Sequence, residues 1–410
     1  MSSKRTLIWI LAEAAALSAI YFFLLAAWGF PGSLEKFLFY APDAREYRDF
    51  GMWLFGDGGY CSDTRPYLYP LLLQGLLKLG GPYLFWFFQY ALYLGAGLLC
   101  SRIARSSTGS RIAGVVVLAV YGLNFSAAHL TLHALTETIS LFLIVLSIYF
   151  FMSSARKRND YIALLCLCLL AAVKPLFLYP PLLLLLFLAW RDRRLLLLEW
   201  KRGALMLASL GVLLVQPLLM HSCSENFSFS KIGIITLRNY YFQKLYANVN
   251  EIPYSLDTGP DSAALARIKP VSDSASMGEI AEFSLQHFPQ AAKLHLGVMH
   301  DNIIAFPALM DTATGKRPLA DFTYKGTQLY IYPHALALLC VIYLAFRKRL
   351  CRLPRGWGMS YALVLYILFA SGISFWQGDR LTIISLAGWL AIYPVLFQAC
   401  FKKQAPRPGS

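Results

Sequence analysis

The residue best suited to acid–base chemistry is Asp43. It follows a long apolar segment and opens a predicted amphipathic helix that also contains Glu46. A carboxylate placed there could remove a proton from an acceptor hydroxyl. The spacing of Asp43 and Glu46 is also that of a capping box, in which Asp43 would accept hydrogen bonds from free helix N–H groups. The residues alone leave both interpretations open.

Glu137 is the second candidate, because it lies inside an apolar segment that predicts a membrane span. Burying an ionisable group at bilayer depth is costly, so such a residue is a functional candidate. His129, His133 and Glu137 are spaced by four, which on a helix places them on one face. Together with Asp43 they are candidate ligands for a divalent metal ion. The alternative is interfacial histidines and a Glu137 paired with a cation of another span.

Three cations form a third set: Arg65, Lys174 and Arg380. Lys174 lies in a short predicted connection before Pro175, and Arg380 ends the sequence Gly378-Asp379-Arg380 in another. Arginine binds phosphate with two parallel hydrogen bonds, and lysine binds it as a point charge. The set therefore predicts either a phosphate site or structural salt bridges with nearby carboxylates.

These residues have to be positioned by a membrane protein. The chain has 410 residues, of which 58% are hydrophobic and 14% charged, whereas a soluble domain has roughly 25% charged residues. A span needs about 20 mostly apolar residues. We predict an all-α polytopic fold with about ten spans, near 7–30, 82–101, 112–127, 134–152, 161–173, 176–190, 203–221, 329–346, 359–376 and 381–400.

The net charge of +15 does not indicate nucleic-acid binding, because the basic residues are sorted by side. With the N-terminus inside, the inner segments carry 21 of the 37 Lys and Arg residues and only three acidic residues. The outer segments carry 16 basic and 18 acidic residues. This asymmetry follows the positive-inside rule. It predicts that both termini are cytoplasmic. The first apolar run is too long for a signal-peptide core and lacks a convincing cleavage site, which predicts an uncleaved helix.

Two outer segments, 31–81 and 221–328, are too long to be simple connections, and long loops in compact proteins are usually functional. The first predicts an interfacial helix that ends at Gly56-Asp57-Gly58-Gly59 and a second apolar run up to Leu79. The second predicts a helical stretch near 278–304, preceded by an aromatic, basic patch at 238–244. We interpret residues 1–410 as one membrane domain with an outer cap.

Two cysteines, Cys61 and Cys223, fall one in each large outer segment. A disulfide between them is expected if the outer compartment oxidises thiols, and two free thiols are the alternative.

Several function classes lack their motifs. The sequence contains no Walker A motif, no G-x-S-x-G elbow and no dinucleotide-binding glycine fingerprint, which disfavours ATP-driven and nucleotide-dependent chemistry. A transporter or flippase for a lipid-linked glycan is the alternative function, since it would use the same cations. The absence of visible internal repeats disfavours it.

The first outer segment resembles that of the GT-C glycosyltransferases, among them the bacterial protein-mannosyltransferase-like and lipid A aminoarabinose transferase-like enzymes. The resemblance rests on Asp43-Ala-Arg-Glu46-Tyr47, on Gly56-Asp-Gly-Gly59-Tyr60 and on Arg65-Pro-Tyr-Leu-Tyr69-Pro70. Thr136-Glu137, Lys174-Pro175, Phe288-Pro289 and Gly378-Asp379-Arg380 are weaker echoes. Some relatives have adjacent acidic residues where this chain has the spaced Asp43 and Glu46.

The resemblance implies sugar transfer from a polyprenyl-phosphate-linked donor to a glycan, glycolipid or protein hydroxyl, with inversion of the anomeric centre. It implies a bacterial inner membrane and a site that faces the periplasm. Asp43 would be the base, and Arg380 would hold the phosphate, assisted by Arg65 or Lys174. The residues assigned to substrate binding are Glu46, Arg65, Tyr69, His133, Glu137, Lys174 and Arg380.

Overall fold

The computed structural model describes residues 3–28, 34–153, 158–193, 199–224, 227–254, 261–304, 325–326, 329–350, 353–354, 356–374 and 380–401. Within these ranges all regular structure is helical and there is no strand. The predicted all-α fold class is therefore confirmed.

Each predicted span overlaps a helix of the structure. These helices are α1 (Ser3–Trp28), α4 (Leu68–Thr108), α5 (Arg111–Gly122), α7 (Glu137–Met152), α8 (Arg158–Val173), α9 (Tyr179–Arg191), α10 (Trp200–Ser224), α16 (Ile331–Phe346), α17 (Trp357–Ser371) and α19 (Leu386–Phe401). Among the described residues, α1, α4 and α10 contain segments long and apolar enough to cross a membrane. A fourth span is added if α5 and the turns at Phe125–Leu132, bent by 62°, are counted together. The total of ten stays a prediction.

The shorter helices lie between these elements. They are α2 (Leu34–Leu38), α3 (Pro42–Leu54), α6 (Phe125–His129), α11 (Ile232–Thr236), α12 (Gln243–Val249), α13 (Ser262–Ser274), α14 (Met277–Gln286), α15 (Phe288–Ile304) and α18 (Arg380–Ile383). Single 3₁₀ turns occur at Leu130–Leu132 and Pro175–Phe177, and a π-helical turn occurs at Leu237–Phe242.

Helix α4 is long because it joins two predicted elements. Its helical geometry breaks at Gly80 and Gly81, where Gly81 has φ +68°, and Pro82 follows. Proline cannot donate the hydrogen bond that would continue the preceding helix. The break separates the predicted run up to Leu79 from the predicted span that starts at residue 82.

The core forms around α4 and α7. Helix α4 packs against α5, α7 and α19, and α8 packs against α7 and α10. Small residues bring these helices close together: a Cβ added at Gly97 would lie 2.8 Å from the Tyr121 ring. Close packing of this kind stabilises helix pairs in lipid, where apolar burial gives little driving force. Apolar side chains on the outer surfaces stay exposed, for example Phe23 and Leu207, as expected for lipid-facing positions.

The large outer segment has a small core of its own, built by Leu245, Ile268, Leu294 and Val298. The predicted helical stretch near 278–304 is split into α14 and α15. The aromatic, basic patch at 238–244 makes hydrogen bonds within this segment. Arg238 Nε donates to the Ala275 carbonyl at 2.6 Å, and Lys244 donates to the Tyr254 carbonyl.

Charged clusters lie at both ends of α8. At its first turn Arg191 pairs with Asp160 at 2.9 Å and with Asp192 at 2.7 Å. Lys174 lies beyond its last turn. At 1.5 Å per residue the two clusters are about 20 Å apart.

Candidate active site

Asp43 lies between two arginines. Its Oδ1 accepts a hydrogen bond from Arg65 Nη2 at 2.7 Å, and its Oδ2 accepts one from Arg380 Nη2 at 2.9 Å. The predicted capping box is wrong: the N-cap of α3 is Ala41, which makes no side-chain cap bond, and Pro42 follows it. The Asp43 carboxylate is instead turned toward the arginines, because two charge-assisted hydrogen bonds stabilise it more than a cap would.

Arg65 reaches Asp43 from the segment that follows the glycine turn. Its Nε donates to Glu46 Oε2 at 2.7 Å, and its guanidinium lies 5.1 Å from the centroid of the Tyr47 ring. Glu46 and Tyr47 belong to α3, so the helix holds Arg65 through both charge and an aromatic face.

The segment that carries Arg65 is fixed at several points. Ser62 Oγ accepts hydrogen bonds from the backbone N–H groups of Thr64 and Arg65, at 3.3 and 3.2 Å. A disulfide joins Cys61 to Cys223 at the end of α10, with the Cα atoms 5.7 Å apart. Ser230 Oγ donates to the Thr64 carbonyl at 2.6 Å. The first outer segment is therefore attached to the second at Cys61 and at Thr64, just before Arg65.

Glu137 is the first residue of α7, and only 1% of its side chain is exposed. Its Oε1 accepts from Lys174 Nζ at 3.1 Å and from Arg380 Nε at 3.0 Å. The predicted pairing of Glu137 with cations of other elements is thus what the structure shows. Arg380 begins α18 and bridges Glu137 to Asp43; its neighbours Gly378 and Asp379 lie outside the described residues.

Six side chains of alternating charge therefore form one connected set, which we call the ion chain. In spatial order its members are Glu46, Arg65, Asp43, Arg380, Glu137 and Lys174. They come from α3, the segment before α4, α7, the connection between α8 and α9, and α18. Three carboxylates balance three cations, as buried charges require, because an unpaired buried ion is strongly destabilising.

Two members of the ion chain that lie outside the membrane-spanning helices, Asp43 and Lys174, have shifted pKa values. Burial raises the pKa of Asp43, but the charges of Arg65 and Arg380 outweigh burial and hold that pKa below its ordinary value. Burial lowers the pKa of Lys174, and the charge of Glu137 does not fully restore it. At neutral pH Asp43 is ionised, which is the form a general base requires.

Comparisons with known proteins yield a loose structural likeness. Crystal structures of ArnT from Cupriavidus metallidurans, one bound to undecaprenyl phosphate and one in the apo state, align with 96% and 95% of this chain and with 77% and 78% of their own. The sequence identities are 12% and 14%, and the TM-score is 0.34 for both. A likeness at this level supports no argument about activity. No family model matches the chain, and no curated protein sequence matches it.

The histidines do not complete the predicted metal site. His129 ends α6, a 3₁₀ turn follows, and His133 has extended backbone with φ −109° and ψ 142°. The three residues therefore do not share a helix face, and that expectation is wrong. The His129 and His133 rings lie 4.8 Å apart, but no group of three His, Cys, Asp or Glu side chains within the described ranges could hold a metal ion. Because Asp43 and Glu137 already bind Arg380, the residues do not fit a metal centre.

Tyr69 contacts the ion chain indirectly, through the Tyr47 ring. It lies in the first turn of α4, is buried, and packs edge-to-face on Tyr47 with ring centroids 4.9 Å apart. Its hydroxyl has no hydrogen-bond partner among the described residues. Because the Tyr47 ring contacts the Arg65 guanidinium, the packing of Tyr69 on Tyr47 helps to position Arg65.

Sequence reasoning missed Asn302 near the end of α15. Its side-chain Nδ2 donates to the backbone carbonyls of Ser371 and Ser374, each at 2.8 Å. Its backbone carbonyl accepts a hydrogen bond from Thr382 Oγ1 at 2.8 Å. Asn302 thereby joins the large outer segment to the end of α17 and to α18, which carries Arg380. A single amide in a helix gives no pattern in the sequence that would have revealed this.

Proposed function

We propose that the protein transfers a sugar from a polyprenyl-phosphate-linked donor to an acceptor hydroxyl at the outer face of a bacterial inner membrane. The acceptor oxygen would form a bond to the anomeric carbon while the bond from that carbon to the phosphate oxygen breaks. The hydroxyl proton passes to Asp43, and the lipid phosphate leaves with the bonding electron pair. A single displacement inverts the anomeric centre.

The observation that carries this proposal is the position of Asp43 between Arg65 and Arg380. An ionised carboxylate next to partly buried cations puts a base and a phosphate-binding group within one side-chain length of each other. That is the combination a displacement at a sugar phosphate needs. It agrees with the resemblance of the Asp43-Ala-Arg-Glu46-Tyr47 segment to GT-C glycosyltransferases.

The ion chain also provides a way to couple donor binding to the base. Arg380 is the member that binds both Asp43 and Glu137. A donor phosphate that draws Arg380 away from Asp43 would free Oδ2 and raise the basicity of the carboxylate, because the cation that lowers its pKa would have moved. As the leaving phosphate gains negative charge, Arg380 and Lys174 would stabilise it.

The test compares Asp43→Asn with Asp49→Asn. Asp49 lies on the same helix, but among the described residues its ion pair is with the neighbouring, partly exposed Arg48. Purified proteins in liposomes would be given a radiolabelled sugar on polyprenyl phosphate and a crude envelope acceptor fraction. We expect the wild type and Asp49→Asn to transfer label. Asp43→Asn should lose at least a hundredfold in rate, as expected for removal of a general base, while still binding the donor.

The outcomes separate the two function classes. Transfer that survives in Asp43→Asn would contradict the role of Asp43. A wild type that binds the lipid and moves it across the bilayer without transferring label would favour the transporter, and that activity would not depend on Asp43.

A further inference from the structure

A polar cleft of about 370 Å³ opens beside the ion chain, on the side of Glu46. Its described lining residues are Glu46, Tyr60, Cys61, Ser62, Asp63, Thr64, Cys223 and Ser224. The disulfide between Cys61 and Cys223 forms part of its wall. The volume lies within the range of about 300–1,000 Å³ that is typical of small-molecule sites.

The charges of the lining disfavour an anionic ligand. Two carboxylates, Glu46 and Asp63, face the cleft, and none of its described lining residues is Lys or Arg. Each carboxylate is already neutralised by a cation that lies outside the lining: Arg65 binds Glu46 at 2.7 Å, and Lys231 binds Asp63 at 2.7 Å. The described lining therefore offers no cation of its own to a phosphate, and it has little net charge left to attract a strong cation.

What remains is a surface suited to hydroxyl groups. The Glu46 and Asp63 side chains are 40% and 38% exposed, so their oxygens can accept hydrogen bonds from a ligand. Thr64 adds a half-buried hydroxyl group, which can donate and accept, whereas Ser62 is 4% exposed and its hydroxyl is already bonded to Thr64 Oγ1 at 2.9 Å. The Tyr60 side chain is 48% exposed, and its ring offers an apolar face against which a sugar ring can lie.

We propose that this cleft binds an uncharged glycan and is the acceptor subsite of the transferase, an assignment that rests on the function proposed above. In the order of the ion pairs, Glu46 precedes Asp43 through Arg65, whereas Arg380 and Lys174 follow Asp43. Glu46 lines the cleft, its carboxylate binds Arg65, and Arg65 binds Asp43. A glycan hydroxyl that enters past Glu46 would therefore approach Asp43 from the Glu46 end of the ion chain rather than from the end that holds Lys174. This arrangement narrows the acceptor from a glycan, a glycolipid or a protein to a glycan.

Binding can be measured without any donor. Purified protein in detergent would be titrated with neutral tetrasaccharides of glucose, galactose, mannose and N-acetylglucosamine, and with the uronic-acid and amino-sugar counterparts of the glucose compound. Binding would be followed by saturation-transfer NMR. The variants are Tyr60→Ala and, as a matched control, Tyr40→Ala, because Tyr40 is also exposed in the same outer segment and does not line the cleft.

We expect at least one neutral tetrasaccharide to bind the wild type and Tyr40→Ala equally. Tyr60→Ala should weaken that binding roughly two- to tenfold, in line with the loss of one aromatic contact. The uronic-acid compound should bind at least tenfold more weakly than its neutral counterpart. The proposal is overturned if no neutral compound binds, if either charged compound binds more tightly, or if the two tyrosine variants behave alike.

A parallel transfer assay keeps the two proposals distinct. If the wild type transfers sugar and Tyr60→Ala has an unchanged acceptor KM, the transferase proposal is kept and the cleft is not its acceptor subsite. Glycan binding that depends on Tyr60, in a protein that transfers no sugar, would keep the cleft as a glycan site and contradict the transferase and the acceptor role.

Discussion

Glu46 and Glu137 are the first and the last carboxylate of the ion chain, and they differ in burial. Glu137 is 1% exposed and holds two cations, whereas Glu46 is 40% exposed and holds one. Removing one partner of a buried ion pair costs ~3–5 kcal/mol, because the remaining charge has no compensation. A pair with exposed members contributes about 0–1 kcal/mol, because water screens it.

We therefore expect Glu137→Gln to lower the thermal unfolding temperature of the detergent-purified protein by several degrees and Glu46→Gln to change it little. Differential scanning fluorimetry would measure both. Equal shifts in the two variants would mean that Lys174 and Arg380 are solvated in the absence of Glu137, contrary to their burial.

The pH dependence of transfer follows from the two shifted groups. The pKa of Asp43, the proposed base, is lowered from 3.8, so its carboxylate stays ionised until the pH falls below the usual carboxylate range. The pKa of Lys174 is lowered from 10.5, so this cation is lost earlier as the pH rises. We expect initial transfer rates to be flat around neutrality and to fall on the alkaline side before pH 10.5. Lys174→Arg should move that fall to higher pH, since arginine stays charged. An unchanged alkaline limb would exclude Lys174 as its origin.

Single residues were partly predictable. The sequence correctly singled out Asp43, Glu137 and the three cations as a group, because ionisable residues in an apolar chain need partners or a function. It could not give the order in which they pair, since Arg380 lies 337 positions from Asp43. The prediction that His133 shares a helix face with His129 and Glu137 was wrong, because the spacing was interpreted as helical and a 3₁₀ turn interrupts the helix there.

At the scale of elements, the glycine turn after α3 leads into the segment that carries Arg65. Gly59 has φ +78°, and a Cβ there would lie 2.1 Å from the Asp49 carbonyl oxygen, whereas Gly58 has φ +94° and nothing within 4 Å of such an atom. A side chain at Gly59 would therefore meet both backbone strain and a clash, and at Gly58 only the strain.

Gly59→Ala should thus displace the turn and separate Arg65 from Asp43, with a loss of transfer activity of at least tenfold. Gly58→Ala should retain most of the activity. Radiolabelled transfer by the two purified variants, with their unfolding temperatures as controls for folding, would measure this. Similar activities would show that the turn can shift without moving Arg65.

Asn302 connects α15 to the helix that carries Arg380. Replacing it with alanine would leave the buried carbonyls of Ser371 and Ser374 without this donor, at a cost of about 1–3 kcal/mol for each unsatisfied group. We expect Asn302→Ala to raise the KM for the lipid donor and to lower the unfolding temperature. Asn250→Ala should do neither, because the exposed Asn250 only bonds the carbonyl one turn earlier. A lower unfolding temperature with an unchanged KM would limit Asn302 to a purely structural role.

Helices were easier to predict than their junctions. Apolar runs located the ten helices that overlap the predicted spans, and the predicted boundary between residues 79 and 82 coincides with the break at Gly80 and Gly81 inside α4. The helices α11 to α13 were missed; α12 and α13 pack with α15 in a small core whose residues lie far apart in the chain. Contacts of that kind leave no local signal.

The whole molecule carries its charge unevenly, and this predicts its orientation. Under the positive-inside rule the segment with Arg347 is cytoplasmic and the large outer segment with Ser274 is not. Both positions are exposed in the structure. In spheroplasts, Ser274→Cys should react with a membrane-impermeant maleimide, and Arg347→Cys should react only after permeabilisation. The unmodified protein is the control, and the opposite labelling pattern would reverse the predicted topology.

The spread of the ion chain along the sequence also determines when the site comes into existence. Asp43 leaves the ribosome 337 residues ahead of Arg380. During most of synthesis the nascent chain therefore has three carboxylates of this set and at most two of its cations, so Asp43 lacks one partner. The set becomes electrically neutral only once the segment with Arg380 has been made and docked. Insertion of the final helices thus completes the ion chain, and a chain that stalls before them carries Asp43 with one of its two arginine partners missing.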